Sequence, residues 1–299
     1  MDVSTFEYKS VQGLVIRADV HRADDEVRRP VVMSIHGGAL IMGSREWIDE
    51  RLKSMLLEAG FVIVSIDYRL APETLLPEII EDVQDAYAWI LQQGQRLFNA
   101  DVGRIAVAGS SAGGYLTLVA GYRCQPRPAA LISFCGYGDL IGSWYSSPSP
   151  HARHHNTSMT AEEAQPLTNG PPVSVAGDRE GDGGAFYNHC RQLGTWPHAV
   201  SGWDPHTEGE AFNPYMPVVN VDADYPPTLL IHGTVDTDVP YEQSVMMAAA
   251  LAGNNIEHAL IPIEGGEHGL GGGSREQIDE AYKQAFDFIE RHLPPAVAT

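Results

Sequence analysis

The period of the apolar positions switches repeatedly along the chain. Short runs rich in β-branched residues, PVVMSIHGG, FVIVSIDYR, RIAVAGS, AALISFCG, PPTLLIHGTVD and HALIPIEGG, are apolar at consecutive positions, the pattern of strands buried on both faces. VQGLVIRADVH reads as a hairpin-type entry strand. Between these runs lie longer amphipathic stretches. SREWIDERLKSMLLEAG predicts a helix with Ser44 as N-cap and Gly60 just past its end. PEIIEDVQDAYAWILQQG opens on a proline suited to a first helical turn, carries Ile79, Val83, Ala86 and Ile90 on one face and stops at Gly94. SAGGYLTLVAGYR, YEQSVMMAAALAG and SREQIDEAYKQAFDFIERHL are further helices. The alternation predicts an α/β architecture, a mostly parallel sheet with helices on both faces.

From about Tyr137 to Tyr225 the rhythm breaks into Pro, Gly, Ser, His and Trp, with short helical patterns such as GGAFYNHCRQLG. The stretch is too long for an ordinary loop. Its aromatics, Trp144, Trp196 and Trp203 among them, favour a folded lid over a disordered insert. The expected division is a core of residues 1–136 and 226–299 with an inserted cap over 137–225.

Composition narrows the chemistry. The 39 acidic residues against 19 basic ones give a formal charge of −20, which disfavours nucleic acid and anionic membrane surfaces as partners. The N-terminus shows no signal-peptide pattern and no window is apolar enough to span a bilayer, so a cytoplasmic protein is expected. Cys124, Cys135 and Cys190 are odd in number and lack zinc-site spacing; reduced, buried thiols are expected. The closing helix is the element on which a homodimer could pair.

GSSAGG, residues 109–114, meets the pattern G-x-S-x-G between a strand and a helix. Such a turn places Ser111 in a strained backbone at the C-terminal edge of the sheet, where the following helix adds a positive field. A serine hydroxyl is a weak nucleophile unless a base and an orienting group stand beside it. Asp236 follows the run TLLI and His268 follows ALIPI, so both fall at the same sheet edge in the order Ser, Asp, His. Asp238 competes for the acid role, while Asp222 and Asp224 precede their strand. Among the other histidines, His232 reads as a support for the acid loop, His258 begins a strand and His292 ends a helix. IHGGAL supplies Gly37 and Gly38, whose amides, with that of Ala112, can form an oxyanion hole. The site predicts acyl transfer without metal or organic cofactor. His151, His154 and His155, and the run GDREGDGG (177–184), read as solvated loop rather than metal sites.

The motifs HGGAL (36–40), DYRLAPE (67–73), GSSAGGY (109–115), HGTVDTDVP (232–240) and GGEHG (265–269) resemble the α/β-hydrolase superfamily, in particular carboxylesterase and hormone-sensitive-lipase-like serine esterases, with affinity to the prolyl-oligopeptidase catalytic domain. The resemblance implies an α/β-hydrolase fold of about eight strands with an inserted lid, and hydrolysis of a small-molecule carboxylic ester. It implies Ser111 as nucleophile, Asp236 and His268 as its partners, and Gly37, Gly38 and Ala112 as oxyanion donors. It also implies that Tyr68, Arg69 and Glu73 anchor the loop beneath the oxyanion turn. Two positions depart from the usual pattern. Ala39 replaces a third glycine, a loop type that resembles those of esterases admitting bulky alcohols. Ser110 stands where an aspartate is common, which leans toward the peptidase side. A peptidase, an arylformamidase and a catalytically silent small-molecule receptor are the alternatives on the same fold.

Overall fold

A computed structural model describes residues 2–168 and 170–293. One eight-stranded sheet runs through it: β1 (Asp2–Val11), β2 (Leu14–Arg22), β3 (Arg29–Ile35), β4 (Val62–Ile66), β5 (Ala100–Ser110), β6 (Ala130–Phe134), β7 (Thr228–Gly233) and β8 (His258–Ile263). The spatial order is β1-β2-β4-β3-β5-β6-β7-β8. β1, β2 and β4 pair antiparallel, and every pairing from β4 through β3 to β8 is parallel. All residues of β4, β6 and β7 are buried, as their unbroken apolar runs require.

The helices are α1 (Glu50–Glu58), α2 (Leu76–Phe98), α3 (Ala112–Arg123), α4 (Ser143–Ser146), α5 (Ala161–Thr168), α6 (Gly183–Leu193), α7 (Trp196–Ser201), α8 (Glu242–Gly253) and α9 (Arg275–His292). α2 and α3 pack on one face of the sheet in a hydrophobic cluster that also takes in Tyr137, Tyr145, Trp196 and Phe212 from the segment between β6 and β7. α1 and α9 cover the other face through Leu52, Leu56, Ala285 and Ile289. The fold class read from the sequence is the one observed.

Several boundaries differ. The entry segment is a full hairpin, because residues 2–11 form β1, joined to β2 by Gln12 and Gly13, both at positive φ. β1 carries few apolar residues and packs on α2 only through side chains such as Phe6, whose ring lies 5.9 Å from that of Trp89. α1 begins at Glu50, not near Ser44: Asp49 is its N-cap and accepts from the Leu52 N–H at 2.9 Å. α2 runs through Gly94 to Phe98 and ends at Asn99 in the left-handed conformation. Gly94 is an interior contact, since a Cβ there would lie 3.1 Å from both Ala100 and Phe98. Four helices and short 3-10 turns fold the 137–225 segment, and its aromatics stack on one another, Tyr145 on Trp196 at 3.9 Å. Among the described residues no helix is long and apolar enough to cross a membrane.

Candidate active site

Ser111 sits between β5 and α3 with φ 56° and ψ −122°, a backbone that side chains rarely accept. Its neighbours make the turn feasible. A Cβ on Gly109 would lie 2.4 Å from the Gly113 carbonyl oxygen, and one on Gly113 would lie 2.0 Å from that of Ile35. Only glycine fits at either position, so β3, β5 and α3 close to backbone contact. The Ser111 N–H donates to the Phe134 carbonyl at 2.8 Å and ties the turn to the end of β6.

Asp236 and His268 arrive from the loops after β7 and β8. His268 Nε2 lies 3.1 Å from Ser111 Oγ, and its Nδ1 lies 2.7 Å from Asp236 Oδ2. The second carboxylate oxygen of Asp236 accepts from the Asp238 and Val239 N–H groups at 2.8 and 2.9 Å. His232, fully buried, places Nε2 3.2 Å from Asp236 and 2.9 Å from the Val239 carbonyl, a support for the acid loop. Burial alone would push the Asp236 carboxyl up; hydrogen bonds from His232, His268 and the Val239 amide outweigh it and hold it well below the usual carboxylate range. Burial pushes His268 down, but the Asp236 hydrogen bond and the charges of Asp238 and Asp236 reverse the balance and raise it.

The HGGAL turn lies against the serine. A Cβ on Gly37 would stand 2.9 Å from the Ser110 carbonyl and 3.3 Å from Ser111 Cβ. Gly38, Ala39 and Leu40 all have positive φ. Such a strained run needs outside anchors. The Tyr68 hydroxyl donates to the His36 carbonyl at 3.0 Å, and Trp196 Nε1 donates to the Ala39 carbonyl, also at 3.0 Å. The Ala71 N–H donates to Leu40 at 2.8 Å and Arg179 donates to Ile41 at 2.5 Å. Glu73 acts through Arg179, which it holds with two contacts of 2.6 Å. Arg69 departs from the expected role, because its guanidinium pairs with Asp82 of α2 at 2.8 Å instead of meeting the turn. Ser110 lines a small hollow of about 40 Å³ beside Gly37, Trp47 and Phe134.

The two stretches expected to be solvated are largely exposed, but each holds one buried side chain. His154 is 1% exposed, held by Ser149 Oγ on Nδ1 at 2.7 Å and by Asp238 on Nε2 at 2.8 Å. In the GDREGDGG run, Arg179 is buried on Glu73 and Asp182 caps α6. The sequence missed this because a histidine or arginine reads as polar until its distant carboxylate is known. Ligand atoms of Cys135, His232 and Asp236 do lie within 4.8 Å of one another. They do not suit a metal: the two polar members already bond each other, and burial pushes the Cys135 thiol up to about 12. The acidic trio Glu81, Asp82 and Asp85 instead takes the Lys9 ammonium, at 2.7 Å from Asp82 and 2.6 Å from Asp85.

A strand-turn-helix serine on a parallel sheet, with an acid and a histidine in the loops after the last two strands, defines the class. A family model for the alpha/beta hydrolase fold matches residues 32–177, and one for the prolyl oligopeptidase family matches residues 187–295. The chain has the α/β-hydrolase fold. It is similar to the Mycobacterium tuberculosis esterase LipI, 42% identical over 123 residues, 41% of this chain and 36% of that one. It is 28% identical over 97% of its length to the non-reducing polyketide synthase ausA of Aspergillus calidoustus, of which it spans 14%. The solved esterase of Pyrobaculum calidifontis superposes with a TM-score of 0.68 at 27% identity, covering 97% of this chain and 85% of that one.

Proposed function

We propose that this chain is a serine hydrolase that cleaves carboxylic esters of small acyl substrates through an acyl-enzyme on Ser111. The carrying observation is the hydrogen-bonded series from Ser111 Oγ to His268, 3.1 Å, and from His268 to Asp236, 2.7 Å, on a strained turn. In this reading His268 removes the hydroxyl proton as Ser111 attacks the acyl carbon. The amides of Gly37, Gly38 and Ala112 hold the oxyanion, and water then releases the acid. The 137–225 segment serves as the lid of the site. Relatives named as esterases support ester chemistry. The match to the prolyl oligopeptidase family favours a second reading, cleavage of peptide bonds.

A fluorophosphonate probe should label the wild type and not Ser111→Ala. On aryl esters graded by acyl length, an aryl formamide and a peptide anilide, an ester should lead, and Ser111→Ala should lose about 10⁴-fold or more in kcat. Absence of labelling would sink the nucleophile, and a peptide anilide ahead by orders of magnitude would replace the esterase reading with the peptidase one.

A further inference from the structure

Asp238 lies outside the series Ser111, His268, Asp236, yet three segments meet on its carboxylate. Oδ1 faces three donors from the 137–225 segment: His154 Nε2 at 2.8 Å, the Tyr187 hydroxyl at 2.6 Å and an Arg191 N–H at 3.1 Å. An oxygen so fully occupied fixes the carboxylate in one orientation. That orientation turns Oδ2 toward His268 Nε2, 3.7 Å away, and toward the Arg153 guanidinium at 3.5 Å. Arg153 also donates to Glu267 Oε2 at 2.9 Å, and Glu267 accepts from the His268 N–H at 2.7 Å and from Thr237. One ionic patch thus joins the insert, the acid loop and the histidine loop on the Nε2 side of the imidazole.

We propose that Asp238 is a positioning residue for the hydrolysis: clamped by the insert, it presents a second carboxylate that steadies the imidazolium of His268, and Arg153 tempers it. The inference rests on the reading of Ser111 as nucleophile. When the serine proton moves to Nε2, positive charge develops on a ring that has Asp236 at one nitrogen and Asp238 beside the other. Opposite charge at this distance favours the charged ring, and Arg153 acts in the opposite sense. The remaining neighbours leave this balance to those three. Glu267 is turned to its own loop, Thr237 and Arg153. His154, behind Asp238, is pushed down by burial, and the Cys135 thiol is pushed up to about 12. Tyr187 and Arg191 are engaged on Oδ1, and His232 lies behind Asp236.

The test follows the His268 ring by NMR titration of ¹⁵N-histidine-labelled protein, with the pH profile of kcat/KM on p-nitrophenyl acetate. Asp238→Asn should move the His268 titration and the acid limb to lower pH by about one unit. Arg153→Gln, at a side chain 37% exposed, should move both to higher pH. Opposite shifts from two members of one ion pair are not a consequence of lost packing. An unmoved His268 titration in Arg153→Gln, or shifts of the same sign in both variants, would overturn the proposal. The ring titration reads the coupling even if p-nitrophenyl acetate is not turned over, and the Ser111→Ala comparison tests the parent reading separately.

Discussion

His36 is the one residue of the HGG turn whose charge the fold forbids. Its ring lies flat on that of Tyr68, 4.2 Å between centroids, with Nδ1 2.7 Å from the Gly37 carbonyl. The carbonyl accepts from Nδ1–H, and Nε2 is buried without a partner, so a second proton would have no acceptor and no counter-charge. Burial pushes the group down to about 4 against a weaker pull from Gly37. A folded value below the unfolded one means the ring contributes stability that is full above about pH 6.5, declines as the pH falls and is gone below about pH 4. Wild type should therefore exceed His36→Asn by a margin that narrows by about 2 kcal/mol between pH 7 and pH 4.5 in urea denaturation. A margin equal at both pH values would mean the ring is not held neutral.

At the scale of elements, the 137–225 segment is fastened to the loop after β4 by the pair Arg179 and Glu73, each side chain 1% exposed, and Arg179 reaches from there to the Ile41 carbonyl. Arg179→Met would strand the Glu73 carboxylate in the interior, and such a break costs about 3–5 kcal/mol. Adding Glu73→Gln should recover most of the loss, a recovery that thermal melts of the single and double variants can measure. This pair also shows what the chain's letters carry and what they do not. β4, β6 and β7 were legible as unbroken apolar runs, and Ser111, Asp236 and His268 as a candidate set because each follows such a run at one sheet edge. β1 was not, because an edge strand with one lightly covered face needs few apolar residues. Helix ends failed where two caps competed: Ser44 and Gly94 were both suitable letters, and Asp49 and Asn99 took the roles. The insert was least legible. His154 meets Asp238 across 84 residues and Arg179 meets Glu73 across 106, and no local period records such a pairing.

For the whole molecule the governing quantity is the charge of −20. Much of the basic minority is committed to contacts: Lys9 on Asp82 and Asp85, Arg45 on Asp19 and Asp67, Arg69 on Asp82, Arg179 on Glu73. The acidic excess is therefore left to repel itself, which works against the compact state. Added salt acts on two opposed quantities. It screens the general repulsion, and it weakens exposed pairs such as Arg51 with Asp279 or Lys283 with Asp287, each worth about 0–1 kcal/mol. The buried pairs are screened far less. The repulsion is summed over the excess while the losses are few and small, so the melting temperature should rise by ~2–4 °C as KCl goes from about 20 to 200 mM. Beyond that the Debye length is under ~8 Å and the gain should level off. A rise that continues into molar KCl would mark adaptation to high salt, and a flat or falling curve would show that self-repulsion has no measurable weight in this fold.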